Sequence, residues 1–352
     1  MEGTDFVSTI ELADATDAVP ARNKSAPLVP REDPAMARRV AVIGAPSGAG
    51  ACGVGQERTP AAIRAAGLIG QLGRVGFEVS DLGDSPVVPW RPDRASPRAQ
   101  NLDAVADVVR TTARRVANAL AERDRTALVL GGDCTVGIGT VAGIQQALGR
   151  VALAYFDLHS DLNTPASATD GALDWMTLAH MLAIEGTEPT LTAAAGNAPL
   201  LDPGQVVLFA HDRAHSIRFE RGEIERLGLA RVALEQVRAD PEGAAGRALE
   251  LLANRSDRYA IHLDVDVVDF TDAPLSEHPS RNAGLKLDEM LRALKVLASG
   301  PGLVAITLAE VNPHNAAADD GLLERFAAAF ADAISGRSAP ERDGLQTHAA
   351  GR

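Results

Sequence analysis

The stretch VALAYFDLHSDLN, residues 151–163, joins an apolar run to three polar side chains at alternate positions. Side chains two residues apart in an extended chain point to the same side, so Asp157, His159 and Asp161 converge if the strand continues. Carboxylates that approach so closely repel each other and take up protons, unless a metal cation lies between them. The stretch therefore predicts a buried strand that ends at a metal site, with a polar helix cap or loop as the alternative.

Short apolar runs of the same kind alternate with longer segments of helical period along the chain. The strand candidates are RRVAVIGAP (38–46), FEVSDLG (77–83), RTALVLGGD (125–133), VALAYFD (151–157), QVVLFAHD (205–212), YAIHLDVDVVD (259–269) and LVAITLAEV (303–311). This alternation is typical of βαβ units and predicts one α/β domain built on a parallel sheet. We expect the domain to occupy residues 38–336, with mobile tails at 1–37 and 337–352.

The clearest helix candidate is TPAAIRAAGLIGQLGRVG, residues 59–76. Thr59 is a suitable cap, Pro60 favours the first helical turn, and Gly76 is a suitable end. The pattern therefore predicts one continuous helix between the first two strands.

The charge balance excludes some classes of partner. The formal net charge is −13 at pH 7, whereas nucleic acids and anionic membranes require a basic face, so neither is an expected partner. A small cationic molecule suits this charge better. Cys52 and Cys134 suggest no disulfide framework, and we see neither a secretory signal nor a long apolar run, so a cytoplasmic location is expected.

Polar side chains also follow other strand candidates. Asp133 and Cys134 follow the third, Asp264 and Asp266 lie in the sixth, and Glu310 follows the last. Ligands of parallel α/β sheets lie beyond the carboxyl ends of the strands, so these side chains should gather at one edge. Carboxylates with an imidazole suit divalent Mn, Fe, Co, Ni or Zn, and this many acids suit two ions about 3.5 to 4 Å apart.

Four motifs resemble one enzyme family. GGDCT (131–135), YFDLHSDLNTP (155–165), HLDVDVVDFTDAP (262–274) and AEVNP (309–313) occur in the order and approximate spacing of the ureohydrolases, which include arginases and agmatinases. The resemblance runs from about residue 38 to 335. It implies a three-layer α/β/α fold with a mostly parallel eight-stranded sheet, a dinuclear manganese centre that hydrolyses guanidino groups, and a homo-oligomer, either trimer or hexamer.

The resemblance also assigns ligands to the two metal ions. The matching positions are Asp157, His159, Asp161, Asp264 and Asp266. Asp157, Asp161 and Asp264 would bridge both ions, whereas His159 and Asp266 would each bind one.

The sixth ligand of this family is usually a histidine after GGD, where this chain has Cys134. A thiolate also binds metals, but it adds a negative charge and favours Zn, Fe or Ni over Mn. Water at so anionic a centre should be acidified less, which favours a substrate with a better leaving group, such as an N-hydroxyguanidine. The other interpretation is that Cys134 only fills buried space and one metal site is weak.

The substrate loop departs further from the family. Where arginases carry a serine, an asparagine and a catalytic histidine, this chain reads TDGALDW (169–175), and only Asn163 upstream is kept. This loss disfavours L-arginine itself. Asp170 would instead bind a cationic tail, and Asp174 would either protonate the leaving amine or cap the following helix. Glu310 matches the residue that pairs with the guanidinium.

These features predict a metal-dependent amidinohydrolase acting on a linear amidine. It would cleave the guanidino or N-hydroxyguanidino group of a small cationic molecule to urea or hydroxyurea and an amine, with Asp161 or Asp174 moving the proton. A formimidoyl-amino-acid hydrolase is one alternative, because the same metal centre could catalyse that reaction. A non-catalytic binding protein whose metal site has decayed is the other.

Overall fold

The computed structural model describes residues 38–278 and 281–336, so the tails expected at 1–37 and 337–352 lie outside the described residues. Within that part of the chain, eight strands form one sheet in which every pair of neighbours is parallel. The strands are β1 (Arg38–Gly44), β2 (Phe77–Asp84), β3 (Arg125–Leu130), β4 (Ala152–Phe156), β5 (Val206–His211), β6 (Ala230–Ala233), β7 (Tyr259–Asp264) and β8 (Leu303–Ala309). Their spatial order is β2-β1-β3-β8-β7-β4-β5-β6.

The helices in the described residues lie between the strands and after the last of them. They are α1 (Thr59–Ala65), α2 (Leu68–Arg74), α3 (Leu102–Leu120), α4 (Val136–Leu148), α5 (Thr177–Leu182), α6 (Pro189–Ala194), α7 (Arg218–Leu227), α8 (Leu234–Ala239), α9 (Pro241–Ala253), α10 (Leu287–Ser299), α11 (Pro313–Ala316) and α12 (Leu322–Ile334). None of them combines the length and apolar character needed to cross a bilayer.

Strand β1 shows why the sheet needs helices on both faces. Val40 and Val42 belong to one hydrophobic core, together with residues of α9, α10 and α12. Ala41 and Ile43 belong to a second core, together with residues of α3 and α4. Successive strand residues face opposite sides, so a strand that is apolar throughout is buried only between two helical layers. The predicted three-layer α/β/α fold is confirmed, with a sheet that is wholly parallel.

The predicted elements differ from the structure in three details. The helix predicted over residues 59–76 is broken into α1 and α2, because Gly67 has a left-handed backbone with φ 90°. Thr59 does not cap it; α1 begins at that residue, and the Thr59 hydroxyl donates a hydrogen bond to the Val311 carbonyl. Strand β6 escaped prediction because it has only four residues at the sheet edge, of which only Val232 is buried.

Four neighbouring strands position the candidate site. Strands β3, β8, β7 and β4 lie side by side at the centre of the sheet. Their carboxyl ends lead directly to the polar positions that the sequence singled out: Cys134, Glu310, Asp264, Asp266, Asp157, His159 and Asp161. Parallel pairing makes all four strands end at the same edge, as expected for a ligand site in an open α/β sheet.

Candidate metal centre and adjoining pocket

The six side chains predicted as metal ligands lie together at the edge formed by β3, β7 and β4. Three groups have ligand atoms within 4.8 Å of one another: Cys134 with Asp157 and Asp161; Cys134 with Asp264 and Glu310; and Asp157 with His159 and Asp266. All of these residues are buried. Cys134 and Asp157 each belong to two of these groups, so the side chains form one continuous cluster. The cluster has enough candidate ligands for two ions.

The chemistry of this cluster fits divalent cations. Asp157 Oδ2 and Asp266 Oδ1 are buried without a hydrogen-bond partner. Buried carboxylate oxygens are normally paired, because desolvation of an unpaired charge is costly. A carboxylate, thiolate and imidazole set suits a divalent transition metal, which would supply the missing partners.

Without a cation, the cluster holds its acids at a high energetic cost. Burial and the negative charge of Asp266 raise the pKa of Asp157 to about 7. Burial and neighbouring carboxylates also raise the pKa of Asp161 and Asp264 well above the usual range. For His159, burial lowers the pKa, but the carboxylates of Asp266, 2.9 Å away, and Asp157 together raise it well above its usual value. Metal ions would remove this repulsion and favour ionised ligands.

Asp161 is held by contacts that the sequence pattern did not reveal. Its backbone has φ 47°, in the left-handed region, so the chain turns sharply after Ser160. Its carbonyl accepts a hydrogen bond from the Ala179 amide, at 3.0 Å. The Tyr155 hydroxyl donates to the Asp161 carboxylate from the end of β4. The turn and both hydrogen bonds set the direction of this carboxylate.

Glu310 follows β8 and lies beside the acidic cluster. The Cys134 amide donates to Glu310 Oε1 at 2.8 Å, and the Gln56 side chain donates to Oε2. Burial and the charge of Asp133 raise the pKa of Glu310 well above its usual range. Both oxygens are thus oriented before any substrate arrives. Gln56 was not predicted, because it precedes α1 and is 254 positions from its partner in the chain.

Asp133 has a different role from its neighbours. Its carboxylate accepts hydrogen bonds from the Ser47 hydroxyl and the Gly50 amide, both at 3.0 Å. It therefore fastens the loop after β1 to the end of β3.

A pocket of about 170 Å³ opens over the cluster. Its lining residues are Cys52, Cys134, His159, Asp161, Asp174, Trp175, Asp264, Asp266, Glu277, His278 and Glu310. Among these described lining residues there is no lysine or arginine. Apart from Cys52, the wall beyond the predicted ligands is therefore acidic or aromatic.

Asp174 reaches this pocket and does not cap a helix. It begins a short 3-10 helix, Asp174–Met176, whose preceding residue is Leu173, and α5 begins only at Thr177. Its carboxylate accepts a hydrogen bond from the Trp175 amide at 2.8 Å. Burial, followed by the charge of Glu310, raises the pKa of Asp174 well above its usual range. The cap interpretation is wrong, and the side chain lines the pocket.

Asn163 and Asp170 lie outside the lining of this pocket. Asn163 Oδ1 accepts a hydrogen bond from the Ser167 hydroxyl at 2.9 Å. Asp170 is exposed, and its carboxylate accepts a hydrogen bond from the Ala172 amide at 3.1 Å within its own turn. Their substrate-binding roles stay predictions, and each has a local structural role.

The sequence patterns missed several lining residues. Glu277 and His278 come directly before residues 279 and 280, which lie outside the described residues, and no motif marked them. The rings of Trp175 and His278 stand edge-on to His159, with centroids 5.2 Å and 5.8 Å away. The ring of His215 lies 5.8 Å from His159 on a loop after β5. These rings surround the imidazole of His159 and limit its orientation.

The fold and site together define an α/β protein with a candidate two-metal centre at the carboxyl edge of a parallel sheet. The chain belongs to the arginase family, whose sequence model matches residues 38–335. The arginase of Bacillus caldovelox is 31% identical over 288 residues, which cover 78% of this chain and 91% of that relative. The arginase of Bacillus subtilis strain 168 is 32% identical over 281 residues, covering 79% and 92%.

Solved structures agree with this assignment. The native structure of Bacillus caldovelox arginase at pH 5.6 has a TM-score of 0.74 and 28% identity, covering 86% of this chain and 99% of that chain. A formimidoylglutamase of Bacillus subtilis has a TM-score of 0.66 and 19% identity, covering 87% and 89%, and shows the fold alone. Members of the arginase family are amidinohydrolases that typically bind a binuclear metal centre. The predicted family is therefore confirmed.

Proposed function

We propose that this protein hydrolyses a guanidino or N-hydroxyguanidino group of a small molecule, and releases urea or hydroxyurea and an amine. The observation that carries the proposal is the position of Glu310. Its carboxylate lines the pocket beside the acidic cluster, and the Cys134 amide and the Gln56 side chain orient its two oxygens.

A carboxylate held in this way is suited to a planar cation. Two parallel N–H groups of a guanidinium match the two oxygens of one carboxylate, which adds directional preference to the charge attraction. Glu310 is buried, so the pairing takes place away from bulk water and its strength increases. The guanidinium carbon would then lie over the acidic cluster, where hydrolysis requires a nucleophile.

The residues proposed to hold two divalent ions are Cys134, Asp157, His159, Asp161, Asp264 and Asp266. Two such ions, when bound, would neutralise these acids and lower the pKa of a bound water molecule. We propose manganese as the metal, with zinc, iron or nickel as the alternatives that the Cys134 thiolate favours.

The leaving amine needs a proton, and Asp174 is placed to supply it. The carboxyl lines the pocket, and its raised pKa keeps it protonated at a higher pH than an ordinary aspartate. Asp161 is the second candidate for this transfer, because it also lines the pocket and its carboxylate accepts a hydrogen bond from the Tyr155 hydroxyl.

The pocket wall argues against a substrate that carries a carboxylate. Asp174 and Glu277 line the wall, and none of the described lining residues is a lysine or arginine. A carboxylate would meet the charge of Glu277 there and no basic side chain to pair with, whereas an amine or a neutral end would not be repelled. We therefore propose a substrate other than L-arginine, although the relatives named above are arginases. The same reasoning disfavours formimidoyl amino acids.

The test is product release after metal loading. Protein loaded separately with Mn, Zn, Fe or Ni is assayed for urea or hydroxyurea from agmatine, guanidinobutyrate, arginine and N-hydroxyarginine, and for formamide from formimidoylglutamate. We expect activity on a guanidine without a carboxylate, and a loss of about 100-fold or more in kcat/KM for Glu310→Gln, which keeps the size of the side chain but removes its charge. Absence of product from every compound, with two metal equivalents bound, would refute the proposal.

A further inference from the structure

We propose that His262 is a positioning residue that holds Cys134 as a metal ligand, by donating a hydrogen bond to Cys134 Sγ from behind the metal centre. The inference rests on the proposed metal centre, but it concerns a histidine to which neither the sequence patterns nor the proposed reaction gave a role. Three observations support it: the contact of His262 with Cys134 Sγ, the packing around the His262 ring, and the position of that ring outside the pocket.

The contact joins strand β7 to the segment that follows β3, on the other side of β8. His262 lies on β7, two residues before Asp264, and is 1% exposed. Its Nε2 atom lies 3.2 Å from Cys134 Sγ, whereas Sγ lies 3.1 Å from Asp264 Oδ2. The sulfur is therefore held between an imidazole and a carboxylate.

The imidazole stands behind the sulfur and outside the candidate ligand set. Among the described residues, His262 belongs to none of the groups that could hold an ion, and it does not line the pocket. Cys134 belongs to two of those groups and does line the pocket. A donor in this position can orient the ligand atom without binding the metal itself.

The surrounding residues hold the ring of His262 in place. The Tyr155 ring stacks on it with centroids 4.7 Å apart and an interplanar angle of 12°. On another side, Gly137 in α4 leaves the necessary space, because a Cβ atom there would lie 2.5 Å from His262 Nδ1. The imidazole thus has little freedom to turn away from the sulfur.

The hydrogen-bond partners of the His262 ring indicate that Nε2 is the donor. His262 Nδ1 is buried without a partner, so Cys134 is the partner that accounts for the polarity of this side chain. A metal-bound thiolate has lone pairs and no proton, so it accepts a hydrogen bond and requires an N–H opposite. We therefore assign the proton of the neutral ring to Nε2. This hydrogen bond would partly offset the extra negative charge that a cysteine brings to the ligand set.

The experiment uses Co²⁺ as a spectroscopic probe, because a thiolate bound to Co²⁺ gives a charge-transfer absorption that carboxylates and imidazoles do not. The full chain is titrated with Co²⁺ in the presence of a competing chelator, and the absorption and dissociation constants are measured. Cys134→Ser and Cys52→Ser identify which of the two cysteines produces the absorption. We expect it to disappear only in the Cys134 variant.

The His262 variants separate the donor from the volume of the ring. His262→Leu removes the donor, and we expect Co²⁺ to bind about 10- to 100-fold more weakly at the thiolate site, with a weakened or shifted absorption. His262→Gln can still donate an N–H, and we expect it to recover most of the affinity and the absorption. His180→Leu is the matched control, since His180 is also 1% exposed but hydrogen-bonds to Met176 and Glu188.

Gly137→Ala covers the case in which His262→Leu does not fold. The added methyl pushes the ring away from its place and removes no polar group, so the same loss of absorption is expected. Unchanged affinity and absorption in folded His262→Leu or Gly137→Ala would overturn the inference, as would a wild-type protein without the thiolate absorption. An intact absorption with no product from any guanidine would instead overturn the proposed function alone.

Discussion

At the scale of single residues, two acids of the site have a left-handed backbone conformation that residues other than glycine rarely adopt. Asp161 has φ 47° and Glu310 has φ 63°. Such conformations cost about 1 to 3 kcal/mol each and persist where surrounding contacts require them. The Glu310 amide donates to the Gly132 carbonyl at 2.8 Å, and the Asp161 carbonyl accepts from the Ala179 amide. Each acid is therefore aimed by its backbone as well as by its side-chain partners.

The proposed proton donor can be tested at the same scale. Asp174→Asn keeps the shape of the side chain but removes its acidic proton, so we expect kcat to fall by about 100-fold on a simple guanidine, with a smaller change in KM. The loss should be similar on an N-hydroxyguanidine that yields hydroxyurea, because the same amine leaves from both substrates and needs the same proton. Steady-state kinetics on both substrates measures the two losses, with Asp107→Asn on the exposed face of α3 as control. An unchanged kcat on both substrates would argue against a proton-donor role.

At the scale of elements, one glycine decides where the first helical segment stops. Gly67 has φ 90° between α1 and α2, and a Cβ atom there would meet nothing within 4 Å. The requirement is therefore conformational and does not come from packing. The periodic pattern alone could not reveal the break, because Ile63, Leu68 and Leu72 all keep their apolar sides buried on either side of it.

A matched pair of glycines tests this account. Gly67→Ala should lower the free energy of unfolding by about 1 to 2 kcal/mol, because an L side chain is strained at positive φ. Gly70→Ala lies in α2, and a Cβ atom there also meets nothing within 4 Å, so it should raise stability by about 0.5 to 1 kcal/mol through helix propensity. Chemical denaturation of both variants at one metal concentration measures the effects. Changes of the same sign in the two variants would contradict the assigned backbone strain.

At the scale of the whole molecule, the acidic cluster opposes folding until cations bind. It joins the carboxyl ends of β3, β7 and β4, which lie with β8 at the centre of the sheet. Repulsion between its carboxylates therefore acts on the most buried strands. A cation that binds only the folded protein stabilises it in proportion to the logarithm of its concentration.

Metal removal should therefore destabilise the natural chain but leave an Asp157 variant almost unchanged. For the natural chain, Mn²⁺ at about 100 times its dissociation constant should stabilise the fold by about 2.7 kcal/mol relative to protein in chelator. Asp157→Asn removes one of the repelling charges, so we expect a higher melting temperature in chelator and little increase with Mn²⁺. Calorimetry with and without Mn²⁺ measures both. A full Mn²⁺ shift in the variant would show that Asp157 is not a ligand.

The amino-acid sequence by itself determined the layered α/β fold and most of the acidic edge. Strand periodicity is a local property, and it placed the turn after β4 and the acids of β7 before any contact was known. Acids that follow parallel strands share one edge by geometry, which is why Asp157, Asp264 and Glu310 could be expected together.

Only the tertiary structure decided which other side chains complete the site. Gln56 reaches Glu310 across 254 positions, and His262 reaches Cys134 across 128. Such contacts depend on the strand order β3-β8-β7-β4, which no local pattern encodes. The sequence left two roles open for Asp174, and its place at the pocket depends on a loop that hydrogen-bonds to Gly50. Gln56 and His262 have no periodic signal, because their neighbours are set by long-range packing, and for that reason they emerged only from the folded protein.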